Sequence, residues 1–138
     1  MVPLGRAGLR PSAEVRDDIA IAEFMQVVRE EMLPLDRNYF RRAAGLAASL
    51  HRLDASWRPV SDHVRGAGAE AVKAREAAAL IATSRWAYRS ALARAESRGM
   101  HRRSDRPSSS PAFDCLFEAS GLESVVVERQ TITWTTAS

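Results

Sequence analysis

The chain has 138 residues, of which 46% are hydrophobic and 27% charged, and its formal net charge is +3 at pH 7. That length suits one domain with a real core, and the lack of any run near about 20 apolar residues predicts no transmembrane segment. The basic residues are almost all arginines interleaved with acidic ones, as in Arg29-Glu30-Glu31, which is typical of a solvated helical surface and argues against a nucleic-acid interface.

The first predicted helix follows an N-terminal tail of residues 1–11. Ser12 can cap this helix, and Asp17 and Asp18 lie early in it, where the helix dipole favours negative charge. Since proline does not continue a helix, Pro34 predicts its end. Its apolar residues at helical spacing are Ile21, Met25, Val28 and Met32.

Two further helices are predicted between residue 36 and about residue 97. Pro59 disfavours helical geometry at Arg58, so the second helix is expected to end near Trp57. The third follows Gly66 and Gly68, runs through alanine-rich sequence to about Ser97, and has Gly99 as a natural C-terminal stop. The apolar positions are Phe40, Ala43, Ala47, Leu50, Leu53 and Trp57 in the second helix, and Val72, Ala78, Ile81, Trp86, Tyr88 and Leu92 in the third.

These elements predict an all-α fold, an antiparallel three-helix bundle of the spectrin-repeat type over residues 12–103. Residues 104–138 are predicted to form an irregular segment and then a short β-hairpin, with strands at 124–128 and 131–135. An isolated hairpin is marginal in water, so we expect it to lie against the bundle or against another polypeptide. The aromatic residues expected in the core are Tyr39, Phe40, Trp57 and Trp86, whereas Trp134 is a candidate partner contact.

A dense motif follows the third helix directly. Residues 94–107 fit the pattern R-x-E-S-R-G-x-H-x-R-x-D-x-P, which resembles the sequence that closes the C-terminal helical domain of the succinate dehydrogenase, fumarate reductase and L-aspartate oxidase flavoproteins. The resemblance extends over about residues 19–136 and is strongest over 75–107. The nine specified positions, called the signature below, are Arg94, Glu96, Ser97, Arg98, Gly99, His101, Arg103, Asp105 and Pro107.

The resemblance implies a supporting domain. In that family FAD, the dicarboxylate and the proton donor are held by the flavin and capping domains, so the implied partner is an FAD-binding domain or subunit. This chain would then bind no cofactor alone and contribute no catalytic residue, and the signature would serve in domain docking. The sequence also leaves open whether the chain forms a homo-oligomer.

The charges of the signature allow two interpretations. Arginine forks pair with carboxylates in fixed geometry, so Arg98 or Arg103 with Glu96 or Asp105 can pin the segment after the helix to the bundle or to a partner. Alternatively, His101 among arginines can transfer protons or bind the anionic end of a dicarboxylate.

Other chemistry finds little support in the sequence. His51, His63 and His101 have no metal-ligand spacing, and Cys115 stands without a histidine that would activate it. There is no G-x-G-x-x-G loop for a dinucleotide. One cysteine and no apolar leader predict a cytoplasmic protein.

Three hypotheses remain. The first is the C-terminal helical domain of a fumarate reductase or succinate dehydrogenase type flavoprotein, active only through its flavin domain. The second is a free-standing helical interaction module or a remnant without redox activity. The third is a stand-alone enzyme that uses His101 and the arginines.

Overall fold

The computed structural model describes residues 21–63 and 69–132. Within them, four α-helices precede a two-stranded antiparallel sheet, which confirms a mostly helical fold with a short hairpin. The helices are α1 (Ile21–Met32), α2 (Leu35–Asn38), α3 (Ala43–His63) and α4 (Ala69–Ala93). A 3₁₀ turn, Pro111–Phe113, leads into strands β1 (Cys115–Ser120) and β2 (Val126–Thr131).

The core lies between α1, α3 and α4. At one end, Trp57 of α3 packs with Phe24 of α1 and Ala78 of α4; at the other, Leu46 and Leu50 of α3 pack with Tyr88 of α4. Early residues of α3 thus meet late residues of α4, so these two helices run antiparallel. Small alanines on α4 allow close approach, since Ala77 and Ala78 are fully buried.

The second helix differs from its predicted start at about residue 36. The four-residue helix α2 comes first, and α3 begins only at Ala43. Between them the chain opens because the backbone of Arg41 pairs with a distant segment around Arg103. The prediction that Tyr39 and Phe40 belong to the core is wrong, since both side chains are at least half exposed.

Two predicted helix ends are also wrong. Helix α3 continues through Pro59 to His63, because Trp57 is buried against α4 and holds this part of the helix in place. Pro59 has no N–H to donate to the Ala55 carbonyl, but Ala55 is exposed and water can replace that bond. Helix α4 ends at Ala93, before Ser97 and Gly99. The Arg103 guanidinium there faces the Ala91 and Leu92 carbonyls, and the His101 ring bonds the Arg94 carbonyl just after the helix.

The hairpin exists but lies earlier than predicted. Its turn is formed by the residues between Ser120 and Val126, where Gly121 adopts a left-handed φ of +84° and a Cβ would clash with the Ser124 carbonyl. Arg129 and Gln130, which lie between the two predicted strands, instead pair with Phe117 and Leu116 inside the sheet. The turn lies against helix α4, where the Trp86 indole donates a hydrogen bond of 2.7 Å to the Gly121 carbonyl.

Several predictions lie outside the described residues. They are the tail at 1–11, the cap at Ser12, the early Asp17 and Asp18, the breaks at Gly66 and Gly68, and the candidate partner contact at Trp134. The side chain of His63 is likewise not described. Over residues 21–63 and 69–132, every helix is too short or too polar to cross a bilayer.

Candidate functional site

The signature forms a corner where the end of α4 meets the start of α3. After Ala93 the chain folds back, and its backbone pairs in parallel with Arg41: the Arg41 amide donates to the Arg102 carbonyl at 2.9 Å, and the Ser104 amide donates to the Arg41 carbonyl at 2.9 Å. Residues 94–107 are called the signature corner below. The corner therefore links two helix ends that lie about 50 residues apart in the sequence.

Glu96 is the buried anion of this corner. Its side chain is 0% exposed and accepts from Arg94 at 2.7 Å, from Arg98 at 2.8 Å and from the Ser110 amide at 2.7 Å. The Arg98 guanidinium first, then the Ser110 amide and Arg94, lower the pKa of Glu96 to about 2. Buried charge is tolerated only when paired and hydrogen-bonded in this way.

Arg103 and Asp105 clamp the two helices together. The Arg103 guanidinium, with a side chain 3% exposed, donates two bonds of 2.8 Å to the Asp105 carboxylate. Its remaining nitrogen faces the Ala91 and Arg94 carbonyls, each at 3.3 Å, so a cation sits at the negative end of α4.

Asp105 in turn binds the start of α3. Its carboxylate accepts from the Ala43 amide at 3.1 Å, which supplies a negative charge at the positive end of that helix. The Arg103 guanidinium, with further help from the Ala43 amide, holds the pKa of Asp105 well below its ordinary value. The Arg103–Asp105 ion pair thus caps α4 at its C-terminus and α3 at its N-terminus.

Ser97 and Pro107 shape the return of the chain. The Ser97 hydroxyl accepts from the Arg103 amide at 2.8 Å and lies 2.8 Å from the Arg106 carbonyl, while the Ser97 amide donates to the Ser108 carbonyl at 3.2 Å. These bonds bracket Pro107, which is itself exposed. Ser97 therefore ties down the segment through its backbone on both sides of the proline.

Gly99 turns the chain within the corner. Arg98 and His101 exchange backbone hydrogen bonds of 2.9 and 3.0 Å, and Gly99 occupies the first central position of this tight turn with φ +56°. A left-handed φ at that position favours glycine, although a Cβ would meet open space.

His101 is half-buried and bonded through both ring nitrogens. Its Nε2 lies 3.0 Å from the Arg94 carbonyl and its Nδ1 lies 3.0 Å from the Arg41 guanidinium. A carbonyl can only accept and a guanidinium can only donate, so the neutral ring with its proton on Nε2 satisfies both partners. Burial, and secondarily the charge of Arg41, lower the pKa of His101, which favours the same neutral form.

Arg94 joins the corner to the hairpin. Besides Glu96, it donates to the Phe113 carbonyl at 3.0 Å and to the Cys115 carbonyl at 2.8 Å. Its guanidinium carbon also lies 4.5 Å from the centroid of the Phe117 ring, a cation–π contact.

The structure brings together eight of the nine signature side chains or their backbones, with Pro107 at the rim. The sequence predicted that Arg98 or Arg103 pairs with Glu96 or Asp105 and left the pairing open. The structure pairs Arg98 with Glu96 and Arg103 with Asp105, and these bonds lie within the chain. Sequence reasoning missed five residues whose side chains or amides bond the signature: Arg41, Ala43, Ser110, Asp114 and Phe117. Arg41 and Ala43 are about 60 residues from their partners, so no local spacing could have indicated them.

No second constellation for chemistry is found in the part of the chain that the structure describes. His51 is exposed, Cys115 is a free, partly buried thiol, and no group of three metal-ligating side chains occurs there.

Comparison with known proteins identifies the corner as part of a family domain. The family model for the C-terminal domain of the fumarate reductase flavoprotein matches residues 29–134, a span that includes the whole signature. Neither a search of curated proteins nor a search of solved structures found a match.

Proposed function

Because the chain belongs to the family of fumarate reductase flavoprotein C-terminal domains, as its signature predicts, we propose that it supports an FAD-dependent oxidoreductase by packing on the flavin domain. In this proposal the chain is not catalytic alone, and the reduction or oxidation of a dicarboxylate belongs to the assembly. The observation that carries the proposal is the family match across residues 29–134 together with the internal bonding of the signature.

The bonding of the corner supports a structural role. Glu96, Arg103 and Asp105 are saturated by partners within the chain, so they offer no free acid, base or anion site. His101 would have to break its bond to Arg94 or to Arg41 before it could exchange a proton with a substrate.

The described residues also do not fit FAD. A dinucleotide site of the usual kind needs a parallel strand, a glycine-rich turn and a helix that presents its N-terminus to the pyrophosphate. The sheet among the described residues is a two-stranded antiparallel hairpin. In this proposal the partner binds FAD, and no residue of this chain takes part in the chemical steps of the reaction.

The proposal is tested with a candidate flavin domain of this flavoprotein family, purified with its FAD. Co-elution on a sizing column and a faster dicarboxylate-dependent reoxidation of the reduced flavin are expected when this chain is added. No association and an unchanged rate would refute the proposal. Association with an unchanged rate would favour the free-standing interaction module.

A further inference from the structure

Large apolar side chains are exposed together beside the signature corner. Leu33 is 69% exposed, Leu35 78% and Phe40 61%, and Tyr39 is half exposed, all within eight consecutive residues. Met100, at the tip of the Gly99 turn, is 82% exposed. Exposed apolar residues are usually scattered, and a concentration of this kind marks a binding surface.

Backbone bonds and a ring contact group Leu35, Tyr39 and Phe40, and they bring the turn that carries Met100 to the same corner. The Tyr39 amide donates to the Leu35 carbonyl at 2.8 Å, so the two residues are one helical turn apart. The Tyr39 and Phe40 rings meet edge to face with centroids 4.8 Å apart. Phe40 precedes Arg41, whose amide is bonded to the Arg102 carbonyl two residues after Met100. Leu33, Leu35, Tyr39, Phe40 and Met100 are called the corner patch below.

Polar bonds hold the patch in shape. The Asn38 amide group donates to the Glu31 and Pro34 carbonyls at 2.9 and 3.1 Å, and the Tyr88 hydroxyl lies 2.9 Å from the Asn38 side-chain oxygen. The connection between α1 and α3 is therefore fixed without burying its own apolar side chains. A surface fixed before binding loses less conformational entropy when a partner covers it.

Exposed cations flank the patch. The side chains of Arg102 and Arg106 make no hydrogen bond or ion pair with the described residues, and among them the Arg42 side chain donates only to the Ser104 hydroxyl. A second copy of the chain, packed by a two-fold axis through the patch, would bring these like charges together. The charges instead complement a partner whose apolar surface has carboxylates at its edge.

We propose that the corner patch is the surface on which the flavin-bearing partner docks, through an apolar area rimmed by carboxylates. This inference rests on the proposed function and makes it more specific. It places the main contact with the flavin-bearing partner on the connection between α1 and α3 and not on the hairpin. The signature corner then acts indirectly, because its bonds to Arg41 from Arg102, Ser104 and His101 hold the patch in position beside the Gly99 turn.

Matched variants of exposed leucines test the proposal. Leu35→Ser alters the patch, and Leu116→Ser makes the same change on the outer face of the hairpin, where Leu116 is 59% exposed. Binding to the FAD-loaded partner polypeptide is measured by titration calorimetry. Leu35→Ser and Phe40→Ser are each expected to weaken binding about tenfold or more, and Leu116→Ser to change it less than about twofold. Arg102→Ser should reduce the salt dependence of binding.

The outcomes separate this inference from the proposed function. Melting temperatures of the free variants should match the unaltered chain, because the altered side chains are exposed, so weaker binding cannot reflect unfolding. A complex that tolerates Leu35→Ser and Phe40→Ser but is weakened by Leu116→Ser would overturn the inference and leave the proposed function standing. No complex with the unaltered chain would overturn both. Self-association of the free chain that Leu35→Ser abolishes would identify a second copy as the occupant and also overturn the inference.

Discussion

Replacing Glu96 by Gln probes the buried anion of the signature corner. One carboxylate oxygen accepts from Arg94 and Arg98, and the other accepts from Arg98 and the Ser110 amide. A glutamine amide has one accepting oxygen and one donating NH₂ group. In either orientation the NH₂ group faces two donors. Arg94 loses its carboxylate partner, whereas Arg98 keeps its exposed ion pair with Asp114 at 2.7 Å.

The cost of this change follows from the burial of the group. Removing one partner of a buried ion pair destabilises a protein by about 3–5 kcal/mol. Arg94 and Arg98 keep 20% and 43% of their side-chain exposure, so water can solvate part of their charge and the lower end applies. We expect Glu96→Gln to lower the free energy of unfolding by about 3 kcal/mol, which is a fall of roughly 10 °C in Tm for a domain of this size.

Urea unfolding followed by circular dichroism measures the effect, with Glu128→Gln as the control. Glu128 is exposed and lies opposite Glu118 in the hairpin, so its neutralisation should be neutral or slightly stabilising. The folded pKa of Glu96, about 2, lies below the ordinary 4.5, so its stabilisation is complete above about pH 4.5 and is lost as the pH falls towards 2. Glu96→Gln should flatten that acid limb. A Glu96→Gln chain within about 0.5 kcal/mol of the control would refute the reasoning.

Further variants test other parts of the corner. Gly99→Ala should lower the free energy of unfolding by about 1 kcal/mol, because residue 99 has a left-handed φ. Gly45→Ala should raise it by up to about 1 kcal/mol, because Gly45 is exposed inside α3 with open space for a methyl group. Equal effects of the two changes in thermal unfolding would contradict this reasoning. Arg103→Lys should cost about 2 kcal/mol in urea, because an ammonium cannot serve the Asp105 carboxylate and the α4 carbonyls together, and full stability would show that the fork is dispensable. The folded pKa of His101 lies below its ordinary 6.5, so its neutral form stabilises the fold fully above about pH 6.5, and stability declines as the pH falls below that value. His101→Leu should remove this pH dependence. An unchanged pH dependence of unfolding would show that another group causes it.

The helices and the signature could be predicted from local patterns. Apolar spacing indicated α1 and α4. The charges of the signature indicated that Arg98 or Arg103 pairs with Glu96 or Asp105, but not which arginine takes which carboxylate. These interactions join residues close in sequence, so composition and spacing carry the information.

Long-range contacts defeated the same reasoning. Phe40 occurs at helical spacing with later core residues, yet the pairing of Arg41 with the segment near Arg103 pulls it out of the helix and leaves it exposed. Helix α4 stops before Gly99, where Arg103 faces the carbonyls of its last turn and His101 bonds the Arg94 carbonyl just after it. These capping side chains come from beyond the helix end. The corner patch is visible only once these two departures are known.

Turnover with and without the histidine decides whether the corner supports the reaction or performs it. His101→Gln keeps a donor for the Arg94 carbonyl and an acceptor for Arg41 but cannot carry a proton at neutral pH. We expect no dicarboxylate reduction by the isolated chain, and equal rates from the flavin-bearing partner with the unaltered or the His101→Gln chain. Turnover by the isolated chain, or a His101→Gln complex that assembles but does not turn over, would show instead that the signature is catalytic.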